Sequence, residues 1–366
     1  MSANPQAEKL KQRSEFATER AVRLEPEETG DFSSFEDIQE YLKQIAEEQE
    51  REEEDPENSA TQVDESYEQK VLGRSNVLEW VEEQKVIGPF SLDHMVGKGA
   101  IGIVYHAGYT EEGSVLTEGL PEEFALKFVR PRKRGHFEGQ ISTPHEDIRY
   151  SGSRIIGAIR HPNIVRVYKT GLIRSEKEVA YILMELVKGR NLESIMNHYG
   201  AFSQKKTIEI LRQIAYGLGA MHCAGIVHRD IKPNNLVLDD KTGLVKISDF
   251  DLVQHEWDSI SATIEGTPIY IAPEVYNAEC HVHESDIYAL GVTGYVMLMN
   301  ESPFKECKNV VEVFEKLSSK GVPKVSRLRA GTELIELLAA MYHNDRDKRP
   351  DAPKVYRALD SMMKNG

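Results

Sequence analysis

His228-Arg229-Asp230-Ile231-Lys232-Pro233-Asn234-Asn235 is the stretch on which the reading of this chain turns. It has the form H-R-D-x-K-x-x-N, and the order has a chemical logic. An aspartate can accept the proton of an attacking hydroxyl. A lysine two residues on can reach a group in transit beside it. An asparagine five residues after the aspartate can hold a hard cation from the same loop. A single short match arises by chance, so its weight depends on what flanks it.

Upstream, Val96-Gly97-Lys98-Gly99-Ala100-Ile101-Gly102-Ile103-Val104 carries G-x-G-x-x-G-x-V between two strand-like runs. Glycines let a backbone approach a phosphate chain closely, and the N–H groups of such a turn can donate to it. A dinucleotide fingerprint is disfavoured, because a strand rather than a helix follows the glycines. Phe124-Ala125-Leu126-Lys127 then places a lysine in an apolar strand. That is costly unless the charge is matched, and phosphates would match it.

Hydrophobic periodicity divides the chain. From about Pro89, β-like runs follow one another at Phe90–Val96, Ile103–Ala107, Phe124–Val129, Val165–Thr170 and Tyr181–Leu186. After about Asn191 the period is helical, as in Thr207–Met221, Ser285–Met299, Val310–Leu317 and Glu333–Met341. A β-rich part followed by an α-rich part predicts an α+β chain with two lobes.

With these marks in order, residues from about Pro89 to about Met362 resemble the eukaryotic-like serine/threonine protein kinases. Further marks carry the resemblance. His161-Pro162-Asn163-Ile164-Val165 is similar to the segment entering the fourth strand, and Met184-Glu185-Leu186-Val187 to the gatekeeper and hinge. Ser248-Asp249-Phe250-Asp251 stands at the D-F-G position, and Gly266–Glu274 matches G-T-x-x-Y-x-A-P-E. Ser285–Val292 resembles the buried-helix segment containing Asp286, and Lys348-Arg349-Pro350 supplies the late arginine.

The resemblance implies a bilobal α+β fold. A small antiparallel N-lobe with one αC-type helix (about 89–184) would precede a larger helical C-lobe (about 189–362). It implies transfer of the γ-phosphoryl group of ATP to Ser/Thr hydroxyls of proteins, with autophosphorylation. Asp230 would orient and deprotonate the hydroxyl, and Lys232 would stabilise charge in transit. Asn235 and Asp249 would hold Mg²⁺, with Mn²⁺ as an alternative. Val96, Gly97, Lys98, Gly99, Ala100, Gly102, Val104, Ala125, Lys127, Glu185 and Leu186 would bind ATP, and Lys127 would also serve catalysis. Glu274 would pair with Arg349, and Asp286 would be structural. The pair Lys232 and Thr267 resembles the Ser/Thr-directed subset. Arg229 would meet a phosphate on the activation segment, where Ser259, Ser261, Thr263 and Thr267 are the candidates.

The chain departs from the family pattern in places. Asp251 replaces the glycine of D-F-G, a change that aspartate's tolerance of left-handed backbone should soften. The glutamate that pairs the strand lysine is missing. Family spacing lands on Gly152, flanked by the apolar stripe Ile155, Ile156 and Ile159, and the nearest upstream acids are Glu146 and Asp147. Ile101 sits at the tip of the glycine loop. A long turn runs from Gly108 to Glu123. A basic run with Arg130, Arg132, Lys133 and Arg134 reads as a solvated loop or as a dock for acidic segments. These departures keep open a pseudokinase, a nucleotide-binding scaffold without transfer. A small-molecule kinase is disfavoured by the G-T-x-x-Y-x-A-P-E segment.

The 366 residues carry a net charge of −15. Residues 1–80 hold 22 acidic and 9 basic side chains, whereas the remainder holds 38 and 36. The acidity therefore belongs to an N-terminal extension, and the balance argues against general nucleic-acid binding. The extension, residues 1–74, reads as partly disordered. One amphipathic helix at about 34–51 uses Phe35, Ile38, Tyr41, Leu42 and Ile45, with Ser34 and Asp37 resembling a capping box. It would pack on its own domain or contact a partner. A short helical linker spans about 75–88. Cys223, Cys280 and Cys307 form no C-x-x-C pair, which fits a reducing compartment. The polar start and the absence of a long apolar run predict a soluble, cytoplasmic chain.

Overall fold

The computed structural model describes residues 77–99, 102–111, 113, 120–130, 156–174, 177–255, 267–277, 282–307, 310–323, 325–326 and 329–365. The helix expected at 34–51, the acids Glu146 and Asp147, Gly152, most of the basic run and Ser259, Ser261 and Thr263 lie outside these residues, as do Ala100 and Ile101. The described residues fall into two compact units. One contains Arg166–Val187 and the residues up to Ala158; the other contains Ile159–Val165 and the residues from Lys188 onward.

The first unit opens with a short helix, α1 (Val77–Glu82), and a six-stranded antiparallel sheet. Its strands are β1 (Val86–Ile87), β2 (Phe90–Lys98), β3 (Gly102–Tyr109), β4 (Phe124–Val129), β5 (Val167–Arg174) and β6 (Glu178–Met184). They run in the order β1-β2-β3-β4-β6-β5. Phe90, Phe124, Phe128, Leu126, Ile103 and Tyr181 form the core, and Val77, Leu78 and Val81 of α1 pack into it. Every residue of β4 is buried, so this strand does not alternate inside and outside. That is why its lysine is enclosed.

Several strands run longer than the sequence reading, and two predicted ends fall outside their strands. The fifth predicted run stops at Met184 rather than Leu186. The N–H of Glu185 donates to the carbonyl of Arg166 (2.8 Å), just before β5, and Glu185 and Leu186 follow the strand as a connector. The fourth run starts at Val167; Val165 belongs to the helical unit, where its N–H donates to the carbonyl of Ile247 (2.9 Å).

The second unit is mainly helical. It comprises α2 (Leu192–Tyr199), α3 (Gln204–Cys223), α4 (Pro273–Tyr276), α5 (His283–Met299), α6 (Val310–Lys320), α7 (Thr332–Met341) and α8 (Ala352–Asn365). Ser203 caps α3 by accepting the N–H of Lys206. Helix α5 is buried on almost every side. Gly294 makes this possible, since a Cβ there would meet Leu338 of α7 at 2.6 Å and Leu211 of α3 at 2.9 Å. Three small pairings, β7 (Gly189–Asn191) with β9 (Leu236–Asp239), β9 with β10 (Val245–Ile247), and β8 (Ile226–Val227) with β11 (Gln254–His255), lie among the helices. His228–Asn235 is the loop between β8 and β9.

Candidate active site

The helical unit gathers the polar residues of the first-quoted stretch around one carboxylate. Asn235 Nδ2 donates to Asp230 Oδ2 (2.8 Å) and also to the carbonyl of Asp230 (2.8 Å). Lys232 Nζ meets the same Oδ2 at 2.7 Å and donates to Thr267 Oγ1 at 2.9 Å. Asp230 Oδ1 is buried and accepts from no protein donor. A carboxylate with one oxygen clamped by donors and the other enclosed and unfilled has room for one further O–H donor.

The loop holds this shape because Asp286 accepts its backbone. The N–H of His228 reaches Asp286 Oδ2 and that of Arg229 reaches Oδ1, both at 2.8 Å, and His222 Nε2–H adds a contact to Oδ2 at 2.9 Å. Asp286 is fully buried. Burial pushes its carboxyl up, but the bonds from His222 and the loop outweigh it and hold the group below the usual carboxylate range. The anchoring matters because Arg229 sits at φ 71, in the left-handed region that a bulky side chain rarely adopts.

Asp249 is brought to the same cluster by its neighbour. Ser248 donates both its N–H and its Oγ–H to the carbonyl of Asn235, each at 2.9 Å. Asp249 itself is at φ 65. Asn235 and Asp249 are thus fixed on consecutive hydrogen-bonded segments. Their carboxamide and carboxylate oxygens are hard donors that fit a divalent metal such as Mg²⁺.

The sheet unit holds the other predicted residues. The β2–β3 hairpin turns through the glycines, and the N–H of Gly99 closes the turn on the carbonyl of Gly102 (2.9 Å). A Cβ at Gly102 would fall 2.4 Å from the carbonyl oxygen of Phe128 and 3.3 Å from Lys127 Cε, so only glycine lets the hairpin lie this close to β4. Val104 stands opposite Lys127 in the ladder, and Ala125 stands opposite Met184. Lys127 is 8% exposed. Lys98 is paired with Glu82 of α1, and Val96 is exposed.

The Protein kinase domain model matches residues 90–358. The chain belongs to the protein kinase family. It is 30% identical over 275 residues to the mitogen-activated protein kinase kinase kinase MST11 of Pyricularia oryzae, covering 70% of this chain and 28% of that protein. It is 29% identical over 274 residues to a probable serine/threonine-protein kinase, pknA2, of Bifidobacterium longum, covering 73% and 34%. It is 33% identical over 218 residues to a calcium/calmodulin-dependent protein kinase type 1 of Macrobrachium nipponense, covering 59% and 58%. The chain therefore spans between about a quarter and three-fifths of the length of these relatives. Membership of the kinase family implies use of ATP with a divalent metal.

In this kinase Glu274 and Arg349 form a buried bidentate pair, at 2.7 and 2.8 Å. Arg349 also donates to the carbonyls of His343, Glu284 and Asn344 and lies over the Tyr288 ring. Burial pushes Glu274 up, yet the Arg349 guanidinium and the Ser285 hydroxyl hold its carboxyl below the usual value. Thr267 leads into the Pro268–Tyr270 turn ahead of α4, and the Tyr276 hydroxyl ties that turn by donating to the carbonyl of Pro268 (2.7 Å). The guanidinium of Arg229 is buried and reaches the carbonyl of Leu252 (3.4 Å). Asp251 is not in the left-handed region, which Asp249 occupies instead. The missing glycine therefore costs no backbone strain at 251, and the tolerance of aspartate for that region is not called upon.

Three supporting residues escaped the motif reading. His222 shares the Asp286 carboxylate, Ser248 docks the segment carrying Asp249, and Ser285 supports Glu274. Asn163 is a fourth anchor. Its Nδ2 donates to Gln213 Oε1 (2.9 Å) and to the carbonyl of Val245 (2.8 Å), pinning the H-P-N-I-V segment to α3 and β10. Neighbouring His161 is buried, which with Lys246 lowers its imidazole to about 4.

Proposed function

We propose that this chain is an ATP-dependent protein serine/threonine kinase that transfers the γ-phosphoryl group to hydroxyls of protein substrates and to its own activation segment. The observation that carries the reading is Asp230, whose Oδ2 is clamped by Asn235 and Lys232 while Oδ1 is buried without a donor. Oδ1 is the acceptor for the proton of an incoming hydroxyl. As the substrate's hydroxyl oxygen bonds to the γ-phosphorus, its proton passes to Oδ1, the bond to the β,γ-bridging oxygen breaks and ADP leaves. Lys232, spanning Asp230 and the Thr267 hydroxyl, is placed to offset negative charge on the transferring group. Asn235 and Asp249 would hold Mg²⁺, which when bound neutralises phosphate charge. The glycine turn and buried Lys127 bind the phosphates of ATP, with the Glu185–Leu186 connector on the adenine side. Ser/Thr preference rests on the Lys232–Thr267 contact.

The catalytic body covers 89–362, after an acidic extension that docks partners or the body itself, in a cytoplasmic setting. Among the described residues no helix is long and apolar enough to cross a membrane. A non-transferring scaffold need not keep Lys127, Asp230, Asn235 and Asp249 together, and all four are present.

Phosphate transfer from labelled ATP with Mg²⁺, to the protein itself and to a generic basic protein, tests the proposal. Wild type should transfer, and Asp249→Ala and Lys127→Ala should not. ATP-induced thermal stabilisation without any transfer would replace the kinase reading by the scaffold reading.

A further inference from the structure

We propose that Asp93, His94 and His106 form a binding site for a zinc-class divalent transition-metal ion on the β2–β3 hairpin. The site would be separate from the Asn235–Asp249 pair, which lies in the other unit. One ligand atom from each of the three residues lies within 4.8 Å of the others. Both imidazole Nδ1 atoms approach the same oxygen, Asp93 Oδ2, at 2.9 Å. The two rings stand edge to face, with centroids 5.1 Å apart. An ion bound at about 2.0–2.1 Å in tetrahedral geometry needs ligand atoms about 3.4 Å apart. The two His–Asp separations need to open by about half an ångström, and the third pair of ligand atoms, within 4.8 Å, needs to settle at the same spacing.

The backbone explains how neighbouring residues come to share one face. In a regular strand Asp93 and His94 would point to opposite sides of the sheet. The β2–β3 ladder pairs Leu92 with Ala107 and His94 with His106, so Asp93 is an extra residue in a bulge. A bulge re-aims side chains, and this one turns the carboxylate toward both histidines. Asp93 and His94 are exposed, so an ion could enter from solvent.

His106 is set up as a ligand by its second nitrogen. Its Nε2 is buried without a hydrogen-bond partner and lies 3.9 Å from Glu123 Oε1. A metal on Nδ1 puts the ring proton on Nε2, and a small motion of Glu123 would then accept it. Carboxylates commonly orient metal-bound histidines in this way. Two imidazoles and one carboxylate leave at least one coordination position to water. The set favours zinc, copper or nickel over Mg²⁺, which prefers an all-oxygen shell. The ion would tie β2 to β3 four residues from the end of β2 and four from the start of β3, stapling the hairpin that carries the glycine turn.

Titration calorimetry of Zn²⁺ into the full chain in millimolar Mg²⁺ tests this without reference to phosphate transfer. Wild type should bind one more equivalent than the His94→Gln/His106→Gln double variant. Asp93→Asn, at an exposed position, should lose the same equivalent with an unchanged metal-free melting temperature. Glu123→Gln should keep the equivalent but weaken it by about 10-fold. The proposal fails if the double variant and Asp93→Asn bind zinc with wild-type stoichiometry and affinity. It fails equally if Mg²⁺ suppresses the wild-type signal, and in either case the triad is only a hydrogen-bonded His–Asp cluster.

Discussion

Replacing Arg349 by methionine should cost the helical unit a large part of its stability. The guanidinium makes two short bonds to Glu274 and three more to the carbonyls of His343 (2.7 Å), Glu284 (3.0 Å) and Asn344 (3.3 Å). Without it Glu274 keeps the Ser285 hydroxyl at 2.8 Å, but its charge is left buried and unmatched. Breaking a buried pair from one side typically costs about 3–5 kcal/mol. Domain stabilities are only about 5–15 kcal/mol, so the loss is about a fifth or more of the total. With a urea m-value of about 2.5 kcal/mol/M, the midpoint should fall by roughly 1.5 M.

The partner variant separates charge from packing. Glu274→Gln removes the carboxylate charge while keeping an acceptor for Ser285. In the double variant Glu274→Gln/Arg349→Met no charge remains buried, so it should be more stable than the two single losses predict. A coupling of about 2 kcal/mol is expected for groups in direct contact. Urea unfolding followed by circular dichroism at neutral pH provides all four corners of the cycle. Additivity within about 0.5 kcal/mol would show that the pair contributes packing and no specific electrostatic coupling, and would refute this reasoning.

Thr267→Ala should lower kcat by about 10–100-fold with little change in the KM for ATP, because a hydrogen bond to a charged group is worth about 1.5–3 kcal/mol. Thr267→Ser, which keeps the hydroxyl near Lys232 Nζ, should restore most of the rate, and a dead serine variant would remove Lys232 positioning from the account. Gly102→Ala should destabilise the sheet unit by about 2 kcal/mol, since the added Cβ meets the Phe128 carbonyl at 2.4 Å; a wild-type melting temperature would contradict the close packing. Asp286→Asn should cost about 3 kcal/mol at pH 7, because one amide N–H must face a loop N–H. Asp286 has a folded-state pKa below its unfolded value of about 3.9, so its contribution is present above that pH and disappears as pH falls through the folded value. The gap between wild type and Asp286→Asn in urea midpoint should therefore narrow as the pH falls from 7 through the folded-state value, and a constant gap would mean that the carboxylate charge is not the operative feature.

The parts of this kinase legible in its sequence are those whose chemistry is local. The glycine turn, the lysine on an apolar strand and the H-R-D-x-K-x-x-N loop each hold their groups within a few residues, so spacing alone conveys them. Strand and helix runs were legible for the same reason, although their ends were not: the last predicted strand run reached Leu186, whereas the strand stops at Met184. What spacing could not convey is which distant group completes each local one. His222 and Asp286 are 64 residues apart, and Glu274 and Arg349 are 75 apart. Motif order suggested the second pair. No pattern pointed to the first, because an isolated histidine on a helix has no linear signature. The bulge at Asp93 was hidden too, since one extra residue in a strand is invisible until its partner strand is in place.

The D-F-D variation makes the same point about the site itself. Read as a string, Asp251 replaces a residue valued for backbone freedom, a loss that aspartate's tolerance of left-handed backbone is expected to soften. In the fold the left-handed residue is Asp249, and its position is set by two bonds from Ser248 to the Asn235 carbonyl. Phe250 is buried, with its ring edge-on to His228 at 5.9 Å. Asp249 is therefore held from its N-terminal side and by the phenylalanine after it. It follows that Asp251→Gly should leave transfer activity and its Mg²⁺ dependence within about threefold of wild type, whereas Ser248→Ala, which removes one of the two bonds to Asn235, should lower activity by about 10-fold through weaker Mg²⁺ use. A Mg²⁺ titration of transfer rate for the two variants checks this directly. If Asp251→Gly instead raises activity many-fold while Ser248→Ala is silent, then residue 251 governs the aspartate's placement and the Ser248 contacts do not.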